Sequence, residues 1–247
     1  MKSLGFIVLL FSTALLAQDR IPPGTILPLQ LNHSIRSNKI APGQITSARI
    51  MQDVPLPGGE RIRAGAKVLG YVVTVRPASP TQKAELALRF DTIVSHGRRI
   101  HVTTNLRALA TLMDVSEAQV PETGPDRGTS EYEWTTDQIG GEIAYHGGGV
   151  VEHGADVVGQ WIGNGALVNV SARRGARCHG EVEGNDRLQA LWVFSSDACG
   201  IYDYDDVVLV HAGRTAPRGQ ITLQSLRGNL NLRSGSGMLL RVIGPSS

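Results

Sequence analysis

Aromatic residues are scarce in this 247-residue chain: Phe, Trp and Tyr together make up 5% of it. Phe6 and Phe11 fall in an apolar leader, so the rest of the chain is too poor in rings for a broad carbohydrate-binding platform. An excess of one charge is also missing. The 24 basic and 22 acidic side chains leave a formal +2, which excludes the strongly basic surface expected of a nucleic-acid partner. The densest basic cluster, Arg173, Arg174 and Arg177 in "ARRGARCHG", reads as a solvated loop. Long hydrophobic runs are absent after the leader, because stretches such as "LQALWVF" are short and interrupted. No transmembrane segment is therefore expected in the mature chain.

The leader sets the compartment. Lys2 is followed by an uncharged apolar run from Leu4 to Leu16, and Ala17 precedes the switch to "QDRIPPG". This is the layout of a cleavable secretory signal over residues 1–17, although Leu15 is not the small residue preferred at minus three. Gln18 is not a cysteine, so no lipid anchor is expected. The protein is read as exported to the periplasm or beyond, associated with the cell envelope. In that oxidising setting the only two cysteines, Cys178 and Cys199, are expected to form one disulfide. Its loop of about 22 residues would contribute on the order of 3 kcal/mol. A Cys178 nucleophile beside His179 would instead need a reduced thiol.

What the chain has in quantity is strand alternation, with 29 glycines and 12 prolines between short runs. In "TILPLQLNH", Leu27, Leu29 and Leu31 alternate with Pro28, Gln30 and Asn32, giving one apolar face. Pro28 cannot donate to a ladder and points to an edge or bulge. In "KAELALRFDTIV", Leu86, Leu88 and Phe90 oppose Glu85, Arg89 and Asp91; "SHGRR" then leads into a second alternating run from Ile100. That pair predicts a β-hairpin. Alternation returns in "GQITLQSL" and "NLNLRSGSGMLLRVI". The best helix candidate is "DVSEAQVP", with Ser116 as its cap. The fold class is all-β, a barrel or sandwich. A barrel-like region spans 21–110, a polar connection 111–138, a Gly-rich disulfide-containing β region 139–205, and completing strands 206–244. This order allows two β domains or one barrel with a long insertion.

The segments "IPPGTILPLQLNHSIRS", "PGQITSARIMQDVPLP" and "RIRAGAKVLGYVV" resemble the β-barrel domain of TrbI-type conjugal transfer proteins over residues 21–76. The whole chain, including "GPDRGTSEYEWTT" and "ALWVFSSDACG", looks like a group of exported bacterial β-rich proteins with no assigned activity. The resemblance implies an envelope-associated barrel and transfers no catalytic residue. A TrbI-type protein has a membrane helix and a Pro-rich linker before its barrel, whereas here a cleavable signal leads directly into strands.

Three stretches carry candidate chemistry. "YHGGGVVEHG", residues 145–154, contains a His-Gly-Gly-Gly string of the kind that forms oxyanion holes. Such a turn works beside a G-x-S-x-G elbow, and "RSGSGM" lacks the first glycine. His146 and His153, with Glu152 and Asp156, are metal candidates, although three glycines preclude a zinc-binding helix. The plainer expectation is a glycine turn flanked by exposed polar side chains. "SSDACGIYDYDD" places Asp197, Asp203, Asp205 and Asp206 as oxygen ligands suited to Ca²⁺, or as a polar connection before "VVLVHA". Among the tryptophans, Trp192 is expected in the core, while Trp134 with Tyr132 is the best exposed recognition pair. The chain is read as a non-enzymatic envelope or interaction module with envelope proteins as partners. A secreted hydrolase or metal-dependent enzyme using His146, His153 and His179 is the alternative, and a periplasmic part of a secretion or conjugation apparatus the third.

Overall fold

A computed structural model describes residues 21–170 and 187–244 of the protein. The leader, the cluster Arg173, Arg174 and Arg177, His179 and Cys178 lie outside the described residues, so the expected Cys178–Cys199 disulfide is not shown. The structure is 49% strand and 7% helix and is built around a nearly closed, barrel-like sheet. No helix among the described residues is long and apolar enough to cross a membrane.

The first part of the chain forms β1 (Ile26–Leu31), β2 (Ile35–Arg36), β3 (Ile45–Ile50), β4 (Val54–Pro55), β5 (Arg61–Ile62), β6 (Lys67–Arg76), β7 (Glu85–Ser95), β8 (Arg98–His101) and β9 (Thr104–Ala110). The short helix α1 (Leu112–Glu117) follows. Then come β10 (Thr135–Asp137), β11 (Ile143–Tyr145), β12 (Val150–His153), β13 (Asp156–Ile162), β14 (Gly165–Asn169) and β15 (Leu188–Trp192). Last are β16 (Gly200–Tyr202), β17 (Val207–His211), β18 (Ile221–Ser225), β19 (Asn231–Leu232) and β20 (Gly237–Val242).

The main sheet runs β16-β9-β20-β1-β3-β6-β7-β18-β17, with β8 added beside β7. Its two ends are adjacent in sequence, since residues 203–206 alone separate β16 from β17. Leu106 N–H in β9 also donates to the Ala212 carbonyl just beyond β17 at 2.8 Å. These links bring the sheet round on itself and cover edges that would otherwise be open to pairing. Between β9 and β16, which are parallel neighbours, the chain leaves the barrel and forms a separate antiparallel meander, β10 to β15 in order.

Period-two alternation explains how the two sheets share the apolar residues. Leu27, Leu29, Leu31, Leu86, Leu88, Phe90 and Leu240 fill the inside of the barrel. Ile26, Ala108, Ala110 and Leu239 join a second cluster with Ala144, Val151, Val168, Trp192 and Phe194 of the inserted segment, and with Val115 of α1. Alanine at 108 and 110 suits a close approach of the meander to β9. Trp192 is 1% exposed, as the sequence predicts. Polar side chains fix the meander in place: Ile26 N–H donates to Gln189 Oε1 at 2.9 Å, Trp192 N–H to Gln52 Oε1 at 2.7 Å, and Asn164 Nδ2 to the Met51 carbonyl at 2.6 Å.

The predicted hairpin is β7–β8, with Ser95 opposite Arg98. His96 and Gly97 both have positive φ, 49° and 75°, as a two-residue hairpin turn requires. Two local expectations are corrected. Pro28 lies in a strand paired on both sides, opposite Leu239 of β20. Its carbonyl accepts from Met51 just beyond β3, so its missing donor falls where the β1–β3 ladder has ended. The helix starts earlier than "DVSEAQVP": Thr111 is its N-cap and forms a capping box with Asp114. Ser116 lies inside it and donates Oγ to the Leu112 carbonyl at 2.8 Å.

Candidate functional site

The Gly-rich stretch forms the turn between β11 and β12, which pair with Tyr145 opposite Val150 and Ile143 opposite Glu152. The expectation of exposed polar flanks fails at His146. Its ring stacks on Trp134 at 4.7 Å and 17°, and meets Trp161 at 4.4 Å and 58°. Nε2 lies 2.9 Å from Thr136 Oγ1. Burial disfavours the imidazolium and lowers the His146 pKa below its ordinary 6.5. The glycines have a packing reason. A Cβ on Gly147 would stand 2.3 Å from the Glu131 carbonyl oxygen and 2.7 Å from Tyr132 Cα, so the turn is the seat of the 131–134 segment. Gly149 has φ of 67°, a left-handed turn position that glycine adopts without strain.

That segment carries the predicted recognition pair. Tyr132 is 82% exposed and Trp134 37% exposed. Ser130 donates its N–H and its hydroxyl to Glu133 Oε2, each at 3.1 Å, around a single 3-10 turn, and Trp134 N–H donates to the Glu131 carbonyl. Trp134 also packs over Gly124, where a Cβ would stand 3.3 Å from its side chain. Ile143, Val157 and Ile162 of the meander are exposed as well.

A second constellation lies at the other end of the β11–β12 hairpin. Glu142, immediately before β11, is completely buried, and its Oε1 lies 3.3 Å from His153 Nδ1. Glu142 Oε2 accepts the Ser196 N–H at 2.8 Å, and Oε1 accepts the Ser196 hydroxyl. Burial raises the Glu142 pKa against the opposing effect of these Ser196 bonds. Asp197 completes the group: one ligand atom from each of Glu142, His153 and Asp197 lies within 4.8 Å of the others. Asp197 Oδ1 accepts the Ser195 hydroxyl at 2.9 Å. Arg107 of β9 donates Nη2 to the Ser196 carbonyl at 2.8 Å. Burial is the main reason that its pKa falls to about 10, with the nearby Asp197 acting in the opposite direction.

The sequence candidates are thus redistributed. Three residue pairs of the hairpin lie between His146 and His153, four residue steps or a span of about 13 Å, so the two histidines do not share a site. Nor do the four aspartates gather. Asp197 faces Glu142 and His153, Asp203 lies against Asp114 and helps to raise its pKa after burial, and Asp206 pairs with Arg227 at 3.5 Å. Asp205 is exposed in the β16–β17 connection. Cys199 is buried just before β16 and donates its N–H to Tyr202 Oη at 3.0 Å. Glu142 is absent from the sequence candidates. Its signal is parity: in "GEIAY" it shares the inward face with Ala144, and a carboxylate on an apolar face is unusual.

Comparison with protein-family models and with curated proteins finds no match.

Proposed function

We propose that this protein is an exported, non-enzymatic module of the cell envelope, in which the barrel is a scaffold and the inserted meander carries the recognition edge. The observation that carries this reading is the Trp134–His146–Trp161 stack beside exposed Tyr132. Rigid aromatic side chains offer large contact area at low conformational cost, the property that makes them anchors at interfaces. The glycine turn supports the same reading, because it holds Tyr132 and Trp134 from below. The barrel interior is occupied by leucine, isoleucine and valine side chains, which suits a scaffold. The partner class is an envelope protein that docks on the edge formed by Tyr132, Trp134 and Trp161.

The test is photo-crosslinking in the producing cell. A photoreactive phenylalanine at position 132 is expected to give a discrete adduct that Trp134→Ala abolishes. The same probe at Arg89, on the barrel, gives none. Absence of an adduct at 132, or the same adducts from both positions, would sink the proposal.

The competing reading, a secreted metal-dependent enzyme, draws support from Glu142, His153 and Asp197. It does so without His146, whose ring is committed to two tryptophans and Thr136.

A further inference from the structure

Among the described residues, Glu142, His153 and Asp197 are a group in which ligand atoms of different residues converge. The group is not a surface cluster of acids. Glu142 is completely buried, and the Nδ1 atom of His153 is shut off from solvent with no hydrogen-bond partner. The 3.3 Å between Nδ1 and Oε1 is therefore a close approach without hydrogen-bond alignment. Both atoms bring a lone pair to the same point when the imidazole is neutral and carries its proton on Nε2. Two ligands on a tetrahedral ion with bonds of about 2.0–2.1 Å stand about 3.3–3.4 Å apart. The observed separation is that of neighbouring ligands on such an ion.

We propose that Glu142, His153 and Asp197 form a binding site for a divalent transition metal of the Zn²⁺ class. The donor set decides the class. An imidazole nitrogen with two carboxylates suits Zn²⁺ and its neighbours, whereas Ca²⁺ takes oxygen ligands. The surroundings fit a held ligand set. Ser196 bonds both oxygens of Glu142, Ser195 orients Asp197, and outer partners of this kind fix ligand geometry. Gly140 lets the Glu142 turn approach, since a Cβ there would stand 1.8 Å from Ser195 Oγ. The side chain of His153 is 36% exposed while its Nδ1 is buried, so the site lies one side chain below the surface. The ion would tie the start of β11, the end of β12 and the return to the barrel at one point. This site is separate from the proposed recognition edge, and either can fail without the other.

The test uses the mature full chain, dialysed free of metal and titrated with Zn²⁺ by calorimetry, then with Co²⁺ for its visible spectrum. One equivalent is expected to bind, with ligand-field bands of low coordination number for Co²⁺. Glu142→Gln and His153→Gln are each expected to weaken binding by about 10–100-fold or more, as loss even of an outer-shell partner does. Circular dichroism checks that these two variants and His146→Ala all fold, and folded His146→Ala is expected to bind the metal as the parent does. Absence of saturable binding by the folded parent, or binding unchanged in both variants, would overturn the proposal. Loss of binding in His146→Ala alone would overturn it too, because it would move the metal to the glycine turn.

Discussion

Gln52, just beyond β3 of the barrel, accepts a 2.7 Å hydrogen bond from the backbone N–H of Trp192, the last residue of the meander. Trp192 has φ of 54° and is 1% exposed, so its N–H has no route to water. Gln52→Leu is expected to leave a buried donor unpaired and to cost about 1–3 kcal/mol. Urea denaturation measures it as a lower midpoint with an unchanged slope. An unaltered midpoint would mean that the meander is not pinned to the barrel there.

Gly147→Ala places a methyl group where the Glu131 carbonyl now lies. Backbone, unlike a flexible side-chain tip, cannot step aside cheaply, so a cost of about 1–3 kcal/mol is expected. The 131–134 segment should lift first. Limited proteolysis is expected to cut the variant near residue 132 faster than the parent, while Gly148→Ala, with open space at its Cβ, behaves as the parent.

Burial between two tryptophans depresses the His146 pKa. Below its unfolded value of 6.5 the unfolded chain binds this proton more readily than the folded one. The contribution of a neutral His146 to stability is therefore complete above pH 6.5 and is lost as the pH falls through the folded pKa. Proton NMR of the imidazole should give a midpoint below 6.5 for His146, and His146→Gln should flatten that part of the stability profile. A midpoint at or above 6.5 would contradict the stacked, half-buried ring.

The expected export and the expected Cys178–Cys199 disulfide make a joint mass prediction. The mature protein should begin at Gln18 and weigh a pair of hydrogens less than its reduced form. Reduction should lower stability by about 3 kcal/mol in the loop-entropy model. Retention of the leader would contradict the signal reading, and a mass unchanged by reduction the disulfide.

Much of the barrel is legible in the sequence because alternation is a local signal. Leu27, Leu29, Leu31, Leu86, Leu88 and Phe90 announce one buried face, and His96-Gly97 announces a hairpin. What alternation does not carry is partner choice. Nothing near Leu106 signals that its N–H will meet Ala212 across the seam of the barrel. The helix start is readable in Thr111 and Asp114, whose spacing is that of a capping box, whereas Ser116 lies inside the helix with Glu117 after it. At the candidate sites, residue type is visible in the sequence and grouping is not. His153 and Asp197 meet because β12 and the return from β15 come together over Glu142, and that contact joins residues far apart in the chain. His146 reads as an exposed polar flank in the sequence because Trp134 and Trp161 lie far from it on opposite sides along the chain.

The recognition edge is tested most directly by hydrogen–deuterium exchange of the mature protein with and without a solubilised cell-envelope fraction from its own cells. Slowed exchange is predicted over residues 129–134 and 146–149, with β3, β6 and β7 unchanged. Protection confined to the barrel strands, or none at the 129–134 segment, would contradict the assignment of the meander as the binding element.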